Sequence, residues 1–318
     1  MSDVVVLEDL SPEDIREIGR VIDAALTVDG RSPLSEQSRL LLRGGRREGV
    51  RHLLLWREGA LVGYALLDGT DPIEAASAEL VVHPDHRGRR YGRVLGEALL
   101  TASGRRLRVW AHGGHPAARH LAQALGMILF RELRQLRRPL GGLRPGEPRL
   151  PEGVRLRTFE PGRDEEPWLE LNAVAFAHHP EQGGLTRRDL DARMGEPWFD
   201  PAGFFLAVRD RDPAAGGADD VAAGAGAVDP EELLGFHWTK VHAAEGLGEV
   251  YVLGVSPTAQ HLGLGRALTA VGLEYLARRR GLAHAMLYVD ADNTPALRLY
   301  EGLGFHTFEI DLMYRTES

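Results

Sequence analysis

The sequence repeats itself, and that repeat limits the fold more than any other feature. LVVHP at 80–84 returns as LGVSP at 253–257, RGRRYGR at 87–93 as QHLGLGR at 260–266, and ALGM at 124–127 as GLGF at 302–305. Copies about 170 residues apart in a chain of 318 mean duplicated domains, because solenoid units are far shorter. Residues 139–153 carry the Pro and Gly density of a connector. The expected division is 1–140 for the first domain, 141–153 for a linker and 154–318 for the second.

Both halves read in the same order. Ser11-Pro12-Glu13-Asp14 is a helix start, with Ser as N-cap, Pro at N1 and an acid at N3. Ile15, Ile18, Val21, Ile22 and Leu26 give that helix its apolar stripe. Strands near 51–57 and 60–68 form a hairpin around Glu58-Gly59. Strand 75–82, a glycine turn, helix 91–103, strand 106–111, helix 116–125 and strand 127–138 follow. The second half has strand 154–159, helix 164–177, a capping box at Thr186 and Asp189, and a hairpin of 203–209 with 232–242. Strand 249–255, helix 264–280, strand 284–289, helix 294–301 and strand 304–314 complete it. The Gly/Ala/Asp/Pro tract 211–230 is expected to be mobile. This order predicts α+β domains, each a mostly antiparallel mixed sheet flanked by helices. A Rossmann fold would place its glycine fingerprint after the first strand, whereas here the turn follows the fourth; no GxxxxGK[ST] P-loop is present.

The net charge of −8 argues against nucleic acid as the main partner. No apolar run reaches the roughly 20 residues that span a bilayer, so no membrane partner is expected. The N-terminus lacks a basic segment followed by an apolar one, which reads as cytoplasmic. Without cysteine there is no disulfide, thiolate ligand or cysteine nucleophile, and the thirteen histidines show no metal-ligand spacing, so no metal is expected. A monomer is expected. Lys240 is the one lysine in the chain, against an Arg-rich background. A compact ammonium point charge is one reason to keep it; a coding bias toward Arg is the other.

Each glycine turn feeds a helix N-terminus. Free backbone N–H groups and the positive end of the helix dipole suit a phosphate or pyrophosphate there. Gln260-His261-Leu262-Gly263-Leu264-Gly265 resembles the Q/R-x-x-G-x-G/A signature of the GNAT acyl-CoA N-acyltransferases. Asn293-Thr294-Pro295-Ala296-Leu297-Arg298-Leu299-Tyr300, running on to Gly304-Phe305, resembles that family's second motif. The two motifs together, in this order and spacing, are specific, and the likeness covers most of both halves.

The resemblance implies acetyl-CoA as co-substrate. Its pyrophosphate would lie on residues 260–265 and Arg266, with further contacts from Asn293 to Arg298. Leu253-Gly254-Val255, on a strand that splays from its neighbour, would meet the thioester carbonyl. Tyr300 takes the family's general-acid position, and Glu249 is placed to take the amine proton. In the first half, Leu80-Val81-Val82 and Gly88-Arg89-Arg90-Tyr91-Gly92-Arg93 match the cofactor-binding segments. Its chemistry does not match. Counted from Pro84 and Pro257, Ala76 stands where Glu249 does; counted from the shared Leu-Gly pair, Ala122 stands for Tyr300 and His115 for Asn293. Arg90 replaces the first glycine of the signature. A first half able to bind CoA but non-catalytic is expected.

The stretches LSEQ at 34–37, HPEQGG at 179–184, GFHWTK at 235–240 and GEVYVLGV at 248–255 resemble those of tandem GNAT enzymes that acetylate a cysteinyl-glucosaminyl-inositol. That acceptor is a pseudo-disaccharide amine rich in hydroxyls. The likeness implies Glu36, Glu181, Lys240, Glu249 and Tyr288 as its contacts. Tyr288 alternates on its strand and fits a core position equally well. Two alternatives stay open: another amine acceptor, such as an aminoglycoside, a polyamine or a protein N-terminus, or an acyl-CoA-binding regulatory module without catalysis.

Overall fold

A computed structural model describes residues 4–71, 73–142, 149–177, 180–210 and 231–317, the side chains of 180 and 181 excepted. The tract expected to be mobile, 211–230, lies outside the described residues, as does 143–148 of the expected linker. Contacts divide the chain into two compact units. Unit 1 is Met1–Arg134 with Asp290–Asn293 and Glu309–Ser318; unit 2 is Gln135–Val289 with Thr294–Phe308.

In unit 1, β1 (Val4–Leu7), β2 (Val50–Arg57), β3 (Ala60–Asp68) and β4 (Ala76–Val82) pair antiparallel in sequence order. β5 (Leu107–Ala111) joins β4 in parallel. Alternation along each strand feeds two cores. Leu54, Tyr64 and Val81 pack with α1 (Pro12–Asp29) and α2 (Glu36–Arg43), while Leu53, Leu55 and Val62 pack with α3 (Tyr91–Ala102) and α4 (Pro116–Ala124). The α1 capping box is present in full: Ser11 Oγ accepts from the Asp14 N–H, and Asp14 accepts from the Ser11 N–H.

The sequence division sends the last strand to the second domain, and the structure differs. β12 (His306–Thr316) pairs antiparallel with β5, from Leu312 opposite Ala111 to Arg315 opposite Arg108. The β5 backbone needs a ladder partner, and hydrogen bonding is indifferent to where in the sequence that partner comes from.

In unit 2, β7 (Val154–Thr158), β8 (Phe204–Asp210), β9 (Glu231–His242) and β10 (Leu247–Val255) pair antiparallel, and β11 (His284–Asp290) joins β10 in parallel. One face packs on α5 (Glu165–Ala175) and α7 (Arg187–Met194), with α6 (Pro180–Gly183) between them in sequence; Trp168, Phe204, Phe236 and Trp238 fill that core. The other face packs on α8 (Leu264–Glu274) and α9 (Thr294–Gly302). β6 (Met127–Pro139) gives its end to this second core through Leu136. Both units are thus α+β. Among the described residues no helix is long and apolar enough to cross a membrane.

His237 is fully buried in unit 2, and its Nδ1 lies 2.7 Å from the Leu268 carbonyl oxygen. Helix α8 comes so close that a Cβ on Gly272 would fall 2.0 Å from the imidazole. Burial pushes the imidazole down to about 4 from 6.5. The neutral ring therefore adds stability above pH 6.5 that is lost as pH falls toward 4.

Candidate active site and the paired glycine loops

The bases of both sites are set by where neighbouring strands part. β10 and β11 pair only from Leu247 to Val250, and β4 and β5 only from Ala76 to Ala78. Beyond Val250, β10 keeps β9 as partner, with Leu253, Gly254 and Val255 opposite His237, Phe236 and Gly235. The side of Leu253–Val255 turned toward β11 has no ladder partner among the described residues. Backbone donors left in such a gap can meet a developing oxyanion.

The turns after the parted strands share one backbone shape. Each has two left-handed residues, at φ 65° and 82° for His261 and Gly263 and at φ 75° and 64° for Gly88 and Arg90. Each pair holds one glycine, at opposite positions. Arg90 therefore replaces a glycine without changing the path, at a steric cost of about 1–2 kcal/mol. Gly263 and Arg90 are the N-caps of α8 and α3, so both helix N-termini keep their backbone N–H groups turned into the loop.

Two of the residues expected to meet the acceptor, Lys240 and Tyr288, lie in a row with Glu249. Glu249 is opposite Lys240 on β9 and opposite Met286 on β11, so all three side chains share the face that packs on α5 and α7. Tyr288 is two residues beyond Met286 on the same face. It is 41% exposed and its hydroxyl accepts from Gln135 Nε2 at 2.7 Å, so it is not a core residue. Lys240 is buried, with Nζ 4.5 Å from the Trp198 ring centre and 5.0 Å from that of Tyr251. Two aromatic faces offset part of the cost of burying that charge. Tyr251 is held in turn by Arg193, whose Nε donates to its hydroxyl at 2.8 Å.

A β-bulge follows this row on β10. The register with β9 slips between Val250 and Val252, leaving Tyr251 as the extra residue. β3 and β4 pair without a slip in unit 1. The bulge corrects the sequence count. Arg108 corresponds to Met286 when both are counted back from the shared Leu-Gly pair, and Arg108 is opposite Ser77. Ser77, not Ala76, therefore stands where Glu249 does. Neither residue carries a carboxylate.

Tyr300 lies in α9 on the opposite face of the sheet, in the core with Val250, Leu297 and Phe305. Burial pushes its phenol up to about 12, which keeps it protonated at neutral pH. Glu249 and Tyr300 thus flank β10 from its two faces. Leu264–Arg266 open α8, and Thr294–Arg298 open α9 immediately after Asn293. Glu36 opens α2 in unit 1, capped by Ser35, and is half-buried. Glu181 lies in α6, and its side chain is outside the described residues.

A large cavity opens in unit 1. It measures about 830 Å³ and is lined by Leu80–Val82, by Arg87, Gly88 and Arg90–Arg93 of the turn, and by Ala118 and Ala122 of α4; Arg89 is exposed and outside it. Free volume marks room for a ligand, not chemistry. Ala122, in its lining, and Ser77, on β4, stand where unit 2 has Tyr300 and Glu249.

Sequence reading missed two charge clusters. His112 Nε2 lies 3.0 Å from Glu79 Oε1, and His112 Nδ1 lies 3.2 Å from Asp311 Oδ2. Burial works against charge on this ring, but the Glu79 and Asp311 carboxylates outweigh it and hold it up at about 10. The only sequence signal was an acid inside the apolar strand ASAELVV. The second cluster joins His242 to Glu249, with Nε2 2.6 Å from Oε2. His242 keeps the parity of Lys240 on β9, a signal available in HWTKVH.

The two unusual histidines act at opposite ends of the pH scale. Stability from His112 is complete below pH 6.5 and is lost as pH rises through about 10; that from His237 is lost as pH falls from 6.5 toward 4. Urea unfolding across that range is expected to be most resistant near pH 6.5, and His112→Gln to flatten the alkaline side alone. An alkaline slope unchanged by His112→Gln would refute the assignment.

The sequence profile described as the Acetyltransferase (GNAT) family matches residues 22–127 and 167–305. The chain is 62% identical over 315 residues to a protein of Streptomyces avermitilis named mycothiol acetyltransferase, covering 99% of this chain and 96% of that one. It is 51% identical over 331 residues to a protein of the same name from Streptosporangium roseum, covering 96% and 97%. Among solved structures, a tandem GNAT protein from the clavulanic acid biosynthesis pathway aligns with a TM-score of 0.67 at 19% identity, over 98% of both chains. A GCN5-related N-acetyltransferase from Sphaerobacter thermophilus aligns with a TM-score of 0.63 at 23% identity, over 99% and 95%. These two speak to the fold alone.

Proposed function

The chain belongs to the GNAT acetyltransferase family, and we propose that it transfers acetyl from acetyl-CoA to the cysteinyl amine of a cysteinyl-glucosaminyl-inositol, the last step of mycothiol synthesis. The observation that carries the acceptor is the full-length likeness to relatives of that name. The reaction type is supported by the parting of β10 from β11 beside Glu249.

Amide formation from a thioester needs a neutral amine, a stabilised oxyanion and a protonated leaving thiol. An α-amino group titrates near 7.7–8.0, so much of it is ammonium at neutral pH. Glu249 takes the ammonium proton. The amine attacks the thioester carbon, and backbone N–H groups of Leu253–Val255 receive the charge that develops on its oxygen. The C–S bond then breaks, Tyr300 protonates the departing sulfur, and the surplus proton on the new amide nitrogen returns the tyrosinate to phenol. The 260–266 turn holds the CoA pyrophosphate, and Lys240, Tyr288 and Glu181 serve as partners for the acceptor's polar groups. Unit 1 binds acyl-CoA in its cavity without turning it over.

The test is the purified chain with acetyl-CoA and the cysteinyl pseudo-disaccharide, read by mass spectrometry of the product and by thiol titration. An acetylated product that retains its free cysteinyl thiol is expected, because transfer is to nitrogen. Product only with an aminoglycoside, a polyamine or a peptide N-terminus would assign another acceptor. Tight acetyl-CoA binding without product on any amine would leave a binding module.

A further inference from the structure

A buried base must lose the proton it takes before the next turnover. The Glu249 side chain is only 8% exposed, while that of His242, touching it at 2.6 Å, is 24% exposed. Among the described residues His242 is the one side chain hydrogen-bonded to the Glu249 carboxylate. The two meet because Leu247 is opposite His242 and Glu249 is opposite Lys240, which sets His242 diagonally beside Glu249 on one face. The site thus contains a carboxylate shut off from solvent and an imidazole that bridges it to water.

We propose that His242 is the proton exit of the acetyl-transfer site, returning Glu249 to its carboxylate form after each turnover. This rests on Glu249 being the base. The acceptor N–H bond breaks as an O–H bond forms on Glu249. That proton passes from Oε2 to Nε2 of neutral His242, giving an imidazolium, and the imidazolium releases a proton to bulk water. Imidazole suits this step because one ring nitrogen can take a proton while the other gives one up. His242 touches neither acetyl-CoA nor acceptor in this scheme, so it is a positioning residue acting through Glu249.

The experiment compares wild type, His242→Ala and His242→Gln with acetyl-CoA and the amine, with and without added imidazole. Both variants are expected to lower kcat on the order of 10-fold, less than the 10²–10⁴ of losing an acid–base group outright, with KM for both substrates within about two-fold. Added imidazole is expected to restore turnover in His242→Ala, where the side-chain space is open. His242→Gln keeps a hydrogen-bonding group but cannot carry a proton. Wild-type kcat in His242→Gln overturns the relay and leaves a structural role. A loss in His242→Ala that falls on KM, or that imidazole does not reverse, overturns it as well. No product from wild type would instead overturn the proposed reaction, and this inference with it.

Discussion

Glu249→Gln is expected to lower kcat about 10²–10⁴-fold, the range for removing a positioned acid–base group, while KM for acetyl-CoA stays within about two-fold. The substitution is close to isosteric and leaves a side chain able to hydrogen-bond His242, so the packing around this buried position survives. What disappears is the capacity to take a proton. The deficit should therefore depend on the amine. Above the α-amino pKa of about 7.7–8.0 the acceptor is already neutral, and the gap between variant and wild type narrows as pH rises toward 9. Rate profiles from pH 6 to 9 check this. A gap of constant size would mean that Glu249 binds the acceptor without deprotonating it.

Tyr300→Phe is expected to lower kcat about 10²-fold, the lower end of the same range, again with little change in KM for acetyl-CoA. The ring that packs edge-on against Phe305, with centroids 5.8 Å apart, is kept, so the core at α9 stays intact. Only the hydroxyl proton is lost. Burial holds that proton in place across the working pH range, since the phenol is pushed up to about 12. The deficit should therefore be flat with pH, unlike that of Glu249→Gln, and this contrast separates acid from base. Arg90→Ala, in the unit 1 turn, is the control expected to leave kcat unchanged. Equal losses from Arg90→Ala and Tyr300→Phe would end the division of labour between the units.

Local pattern made much of this readable in the chain. Ser11, Pro12 and Asp14 specify a helix start through contacts three residues apart, and the capping box forms as they predict. The 260–266 turn sits at the start of α8, as its glycines and the following apolar periodicity require. The motif departures in the first half were legible too, because Ala122 cannot supply a proton wherever it lies. Tyr288 was ambiguous, since alternation gives a face but not whether anything covers it.

What the sequence determined by itself was whatever depends on neighbours within a few residues: the duplicated α+β order, the helix caps and the paired glycine turns. Only the tertiary structure decided the rest. The bulge at Tyr251 moves the partner position of Glu249 from Ala76 to Ser77, and one extra residue in a strand has no periodic signature. Asp311 lies 199 residues from the His112 ring it holds charged, and β12 pairs with β5 across a similar span. A buried charge requires a partner, and a strand edge requires a ladder. Neither requirement names which distant residue will meet it, and that choice is made only when the chain has packed.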